Sequence, residues 1–386
     1  MMSVAAPLLW TLPFVVPPIV VLLRARRSRS IEEFSPDVFA DAPLVSVVIP
    51  ARNERRNIER CVRSVLSADY PRLEVIMVDD HSTDGTGDAA RAIAASDARL
   101  RVVEAPPLAE GWFGKQWACA AGVRESRGDV LLFTDADTRH EHDLLPRAVN
   151  ALTSGNVDLV TLAGHQEMHS FWERVVQPHV FVLLSVRYGG TEHVSRATRP
   201  ADVIANGQFI LLTRAAYERV GGHAAVRDVV AEDLALAQAV VRTKGRMLML
   251  FARRHFSTHM YASLAELVRG WRKNMYAGGR NAALGGALGR ALFPAILLST
   301  PLIALAPPIV LVLALTGVLS TAWVLWSASV VAAALAFWVA VYRFVGEPAW
   351  YAFTYPLGDA MLFYIAAGSV ARGNRVQWKD REYVSR

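Results

Sequence analysis

Cysteine is nearly absent from this chain: Cys61 and Cys119 are the only two among 386 residues. Neither has partners at metal-ligand spacing, which excludes a zinc finger. Each falls in a helix-like stretch, so both are expected to be buried free thiols, suited to a reducing cytoplasmic setting. Charge is also sparse, at 20% of residues against 53% hydrophobic. The net charge is +6, mainly from arginine, and no RNA-binding signature accompanies it. Much of that basic charge lies beside apolar segments, which points to a membrane surface and away from nucleic acid. No repeat or low-complexity tract interrupts the centre of the chain.

The apolar excess is concentrated at the two ends, around a soluble centre. Residues 4–23 are long enough to cross a bilayer, which takes about 20 residues. No Lys or Arg precedes them, and Arg24, Arg26, Arg27 and Arg29 follow. A cleaved signal peptide has its charges on the other side, and the positive-inside rule puts the following domain in the cytoplasm. Pro7, Pro13, Pro17 and Pro18 weaken the helix and leave a bent or partly inserted anchor open. Further spans are expected at 292–316, 318–342 and 350–370. Four crossings would leave the C-terminus outside, yet Arg372, Arg375, Lys379, Arg381 and Arg386 argue for inside. One segment, the last or the first, is therefore expected to be re-entrant or interfacial. The last carries Pro356, Gly358 and Asp359, and a mid-membrane Asp costs about 2.5–3.5 kcal/mol. The expected organisation is an anchor (1–29), an α/β domain (43–262), an interfacial amphipathic helix (263–290), a transmembrane region (291–371) and a basic tail (372–386). The amphipathic stripe is Leu264, Leu267, Val268, Trp271 and Met275.

The central part alternates short β-rich runs with helical stretches, the signature of an α/β sheet. Strands are expected at 45–49, 73–78, 100–103, 130–133 and 159–162. Ile58, Val62, Val65 and Leu66 give a helix starting near Asn57 its apolar face. Asp135 and Asp137 follow the fourth run. In extended chain, residues i and i+2 point the same way, so both carboxylates are expected to project together where open α/β sheets bind ligands. Two hard oxygen donors suit Mg²⁺ or Mn²⁺ bridged to phosphate. Upstream lie Pro50-Ala51-Arg52-Asn53-Glu54, then Asp79-Asp80-His81-Ser82-Thr83-Asp84, then the loop Gly111-Trp112-Phe113-Gly114-Lys115, whose ammonium suits a diphosphate. Each alone also reads as a turn or a solvated loop. His140 and His142, flanking Glu141, read as a solvated loop and not a zinc site, and His223, His255 and His259 are scattered.

The order of these signals is more specific than any one of them. With "VSVVIPARNE", "VDDHSTDGT", "TDADT" and "ERVGGHAAVRDVVAEDLALA", the chain resembles the family-2 glycosyltransferases over roughly 43–279. The resemblance implies the GT-A nucleotide-diphospho-sugar transferase fold, with a mixed, mainly parallel sheet. It implies that Ala51, Glu54 and Asp80 line a nucleoside pocket and that Lys115 approaches the diphosphate. Asp135 and Asp137 match the family's DxD pair, with Asp137 the closer metal ligand, and Asp233 matches the catalytic base. Glu232, Asn206 and Gln208 fall on the acceptor side. A membrane-family Gln/Arg-x-x-Arg-Trp motif has only a partial counterpart in Arg269-x-x-Arg272, because Lys273 stands where Trp is expected; both arginines suit diphosphate contact or membrane-surface charge.

"GWFGKQWACAAG", "LVRGWRKNMYAGG" and "VQWKDREY" resemble the bacterial membrane-bound transferases that modify carotenoids and related isoprenoid lipids. The apolar stretch from Phe171 to Leu184 supports a lipid acceptor. Trp378 and Lys379 can close over the nucleotide only if the tail is cytoplasmic, which ties topology to mechanism. The expectation is a multi-pass protein of the cytoplasmic membrane that moves a hexose from a UDP-sugar to a lipid hydroxyl, with inversion. A polysaccharide or polyprenyl-phosphate sugar transferase, or a catalytically idle nucleotide-sugar-binding subunit, remains open at this point.

Overall fold

The computed structural model describes residues 5–281, 283, 285–373, 375–378 and 381–384. The chain forms two compact units. One comprises Met1–Arg27, Met168–Gly190 and Tyr261–Gly373, and the other Ser28–Glu167, Thr191–Met260 and Asn374–Arg386. The expected α/β span of 43–262 is therefore interrupted, because 168–190 belongs with the first, helical unit.

In the helical unit, α1 (Ala5–Ala25) opens the chain. The α/β unit then runs through β1 (Val45–Ala51), α2 (Ile58–Leu66), β2 (Leu73–Asp79), α3 (Thr86–Ala94), β3 (Leu100–Glu104), α4 (Gly114–Glu125) and β4 (Val130–Thr134). It continues with β5 (Thr138–His140), α5 (Leu144–Ser154), β6 (Leu159–Ala163) and β7 (His165–Gln166). After α6 (Phe171–Tyr188), part of the helical unit, come α7 (Thr191–Arg196), β8 (Phe209–Thr213), α8 (Arg214–Arg219), α9 (Glu232–Arg242), β9 (Met247–Phe251) and β10 (Phe256–Thr258). The antiparallel hairpin β11 (Arg375–Trp378) and β12 (Arg381–Val384) ends the unit.

The main sheet has seven strands in the order β3-β2-β1-β4-β8-β6-β9. Neighbours are parallel except β8, which runs antiparallel to β4 and β6. This is the mixed, mainly parallel sheet expected. β8 and β9 add to the expected strands. β2 and β4 are buried along their whole length, the mark of strands covered on both faces. On α2, Ile58, Cys61, Val62, Val65 and Leu66 are buried at helical spacing, each large aliphatic contributing about 1.5–3 kcal/mol. Ala51 pairs with Asp79 and Val48 with Phe133, so β1, β2 and β4 end along one edge. A smaller sheet, β5-β10-β7, follows the turn after β4.

The helical unit also holds α10 (Leu264–Asn281), α11 (Gly286–Leu315), α12 (Ala322–Val345) and α13 (Tyr355–Arg372). Helices α11 and α12 are long and apolar enough to cross a membrane, with mean hydropathy 2.3 and 2.2. Their bounds shift slightly from the expected 292–316 and 318–342. The apolar part of α1 is shorter, Trp10–Ala25. Helix α13 departs most from a simple span: Pro356 sits in its first turn and Asp359 is buried, 3.9 Å from His179 of α6. Of the α10 stripe, Leu267, Val268, Trp271 and Met275 are buried, Trp271 against Phe181 of α6 and Tyr261. The Ser369 hydroxyl accepts from the Tyr276 amide (2.9 Å) and donates to the Arg272 carbonyl (2.6 Å).

Candidate active site

The turn after β4 carries the two aspartates, but not in extended chain. β4 stops at Thr134, and 136–137 turn back before β5. The alternation expected to align Asp135 and Asp137 is therefore replaced by a turn fixed from beneath. Thr138 Oγ1 donates to the Asp135 carbonyl (2.8 Å) and Thr134 Oγ1 to the Gln208 carbonyl (2.8 Å). His140 Nε2 lies 3.0 Å from Thr134 Oγ1 and 3.3 Å from Thr138 Oγ1. Arg60 Nη2 donates to the Asp137 carbonyl (3.3 Å). The solvated reading of His140 is corrected: pairing of β5 with β10 buries it against Phe209 and Phe256. That burial pulls its pKa down to about 3, so the ring is neutral. His142 is exposed and pairs with Asp69, as a solvated loop histidine does. Cys61 and Cys119 are buried free thiols, as expected.

Asp137 Oδ1 is buried without a hydrogen-bond partner. Burial, then the charge of Asp135, pushes its carboxyl up to about 7. An orphaned buried carboxylate oxygen beside a second carboxylate fits a hard divalent cation. Among the described residues, no three or more His, Cys, Asp or Glu side chains converge on one ion. The protein's share of such a site is thus the aspartate pair, with substrate oxygens or water for the rest.

Lys115 was expected on a flexible loop. It is instead the second residue of α4, and its Nζ lies 2.7 Å from Asp135 Oδ1 and 2.8 Å from Glu232 Oε1. Burial pulls its pKa down, but Asp135, Glu232 and Asp233 together outweigh that and hold the ammonium well above its usual range. Glu232 and Asp233 open α9. The Asp233 carboxylate accepts from the Gly207 amide at Oδ2 (2.9 Å) and from the Leu234 amide at Oδ1 (2.7 Å). Burial, then Glu232, raises Asp233 to about 6 despite those bonds. A side chain at Gly207 would put its Cβ 3.0 Å from Asp233 Oδ2 and 3.3 Å from Lys115 Nζ. The site therefore gathers Lys115, Asp135, Glu232, Asp233 and the Gly207 backbone in one place. It can bind an anion, hold a cation and accept a proton.

The strand ends β1 and β2 supply the other expected residues. Ala51 closes β1, and its carbonyl accepts from the Asp80 amide (2.8 Å). Glu54 accepts from Asn57 Nδ2 (2.9 Å), and its amide donates to Thr86 Oγ1 (2.8 Å). Both Asp80 carboxylate oxygens are held by Arg381, at 2.7 and 3.2 Å. Asn206 Nδ2 donates to the Leu162 carbonyl (2.9 Å) and to Gln208 Oε1 (3.1 Å), so this pair flanks Gly207 in a fixed loop. Arg269 and Arg272 belong to the helical unit, where the Arg272 guanidinium lies over the Tyr364 ring at 4.4 Å. The apolar stretch from Phe171 forms α6, with Val175, Val176 and Val180 buried. Lys379 and the Trp378 side chain lie outside the described residues. Sequence reasoning missed Thr134 and Thr138, which carry no local signal of their role; Gly207, between Asn206 and Gln208, is a point of close backbone approach.

Fold and comparisons agree on the class. A solved structure, "Mannosyltransferase PcManGT from Pyrobaculum calidifontis in complex with GDP-Man and Mn2+", superposes with a TM-score of 0.57 at 22% identity, covering 95% of this chain and 98% of that one. The α/β unit has the GT-A fold. Residues 46–221 match the family described as Glycosyl transferase family 2. A 4,4'-diaponeurosporenoate glycosyltransferase of Staphylococcus haemolyticus is 26% identical over 238 residues, 61% of this chain and 61% of that protein. A protein of the same name from Staphylococcus aureus is 27% identical over 241 residues, again 61% of each. Glycosyltransferase AglE of Haloferax volcanii is 35% identical over 120 residues, 31% of this chain and 38% of its own length. The chain thus spans 61% of the length of the carotenoid-transferase relatives it matches.

Proposed function

We propose that this protein is a membrane-bound, metal-dependent inverting glycosyltransferase. It moves a hexose from a UDP-sugar to a lipid hydroxyl, with a carotenoid or related isoprenoid favoured as acceptor. The observation that carries the reading is Lys115 held between Asp135 and Glu232, with Asp233 at the same helix start and Asp137 Oδ1 left unsatisfied. A transfer of this kind needs each of those parts. Ala51, Glu54 and Asp80 take the nucleoside, and Lys115 meets the growing negative charge of the leaving diphosphate. Asp137 and Asp135 would hold Mg²⁺ or Mn²⁺, which supplies further charge neutralisation there. Asp233 accepts the acceptor's hydroxyl proton as its oxygen bonds to the anomeric carbon. The bond from that carbon to the diphosphate oxygen breaks, and the nucleoside diphosphate leaves with the electron pair. One displacement inverts the carbon.

The names of the staphylococcal relatives support a carotenoid-type acceptor, and the apolar helices α11 and α12 support a membrane location. On this reading the α/β unit works at the cytoplasmic face, and Glu232, Asn206 and Gln208 border the acceptor. Mass spectrometry of lipids from cells with and without the gene tests it. A hexosylated isoprenoid present only with the gene is expected; an identical lipid profile in both would overturn it.

A further inference from the structure

Among the described residues, two contacts of the hairpin β11–β12 fall on the donor site proposed above. At one, Arg381 takes both oxygens of Asp80, whose side chain is only 2% exposed. A nucleoside cannot reach that carboxylate while Arg381 is on it. At the other, the Gly114 amide donates to Tyr383 Oη (3.2 Å), and the Tyr383 ring packs on Phe113 at 4.3 Å. Gly114 is the first residue of the 12-residue α4, next to Lys115, so that amide is one a bound phosphate would otherwise use. The contacts thus cover the group assigned to the nucleoside and a donor beside the group assigned to the diphosphate. A two-stranded hairpin is marginal by itself, so it can leave without unfolding the sheet.

We propose that the C-terminal hairpin is an intramolecular competitor for the nucleotide donor. Arg381 and Tyr383 latch the pocket, and UDP binds by displacing them. This rests on the assignment of Asp80 and the start of α4 to the donor. A latch closed in about nine molecules of ten weakens apparent donor affinity about tenfold. Loosening it therefore tightens binding.

The test uses the full chain in detergent with UDP and Mn²⁺. Arg381→Gln removes the ion pair. Tyr383→Ala loosens the hairpin without changing charge at Asp80. Calorimetry should give a UDP Kd about tenfold lower for each variant. In the parent protein, saturating UDP should speed trypsin cleavage after Arg381. Variants that bind UDP equally or more weakly, or UDP that protects Arg381 from trypsin, would overturn the latch and leave the donor reading standing. Absence of binding by UDP and GDP in the parent and both variants would overturn the donor reading and the latch with it.

Discussion

Replacing Lys115 by methionine removes the ammonium and keeps most of the volume. In the parent, Nζ bridges Asp135 at 2.7 Å and Glu232 at 2.8 Å, with the lysine side chain 23% exposed and that of Asp135 29%. Removing one partner of a buried pair costs about 3–5 kcal/mol, and this partial exposure puts the loss near the lower bound, about 3 kcal/mol. For a unit of this size that lowers the melting temperature by about 6–12 °C. The pH dependence has a definite sign. Burial has already raised Asp135 and Asp233, and the ammonium opposes that rise in both. Without it they rise further. A raised carboxylate pKa stabilises below its unfolded value, and that stabilisation is lost as pH rises through the folded value. The gap between variant and parent is therefore wider at pH 8 than at pH 5. UDP should also lose a charged hydrogen bond, weakening its Kd about 10–150-fold. Thermal unfolding at both pH values and calorimetry with UDP and Mn²⁺ check this. A variant that melts within about 1 °C of the parent at pH 8 and binds UDP equally well would refute the reasoning.

Asp137→Ala should abolish the dependence of UDP affinity on Mn²⁺; a variant whose UDP affinity still rises with Mn²⁺ as the parent's does would contradict the cation site. With Asp233 near 6 in the free protein, kcat/KM for transfer should fall tenfold per pH unit below about 6. A flat profile from pH 5 to 8 would remove Asp233 from the role of base. Gly207→Ala crowds Asp233 and Lys115 and costs about 1–3 kcal/mol, so transfer should drop about 5–150-fold with the fold retained, measured by initial rates alongside circular dichroism.

The parallel core was legible because its strands are apolar runs and α2 shows its buried face at i, i+3, i+4 and i+7. β9 was not, since Met247–Phe251 is a short apolar run with no alternation. The acidic and basic site residues were legible as types in order, but their support was not. Thr134, Thr138 and His140 act through contacts with β8 and β10, far away in sequence. Lys115 was read as a loop residue because the glycines at 111 and 114 suggest flexibility, whereas Gly114 starts a helix. The stripe of α10 has the spacing of a membrane-surface helix, and spacing alone does not tell lipid from a protein neighbour. The hold of Arg381 on Asp80 joins residues 301 apart and left no local signal.

The most direct measurement is transfer by Asp233→Asn compared with its donor binding. With radiolabelled UDP-hexose, Mn²⁺ and isoprenoid acceptor in vesicles, the parent should form labelled lipid. The variant should bind UDP with the parent's affinity and lose about 10²–10⁴-fold in transfer. Transfer by the variant at the parent's rate would contradict the account.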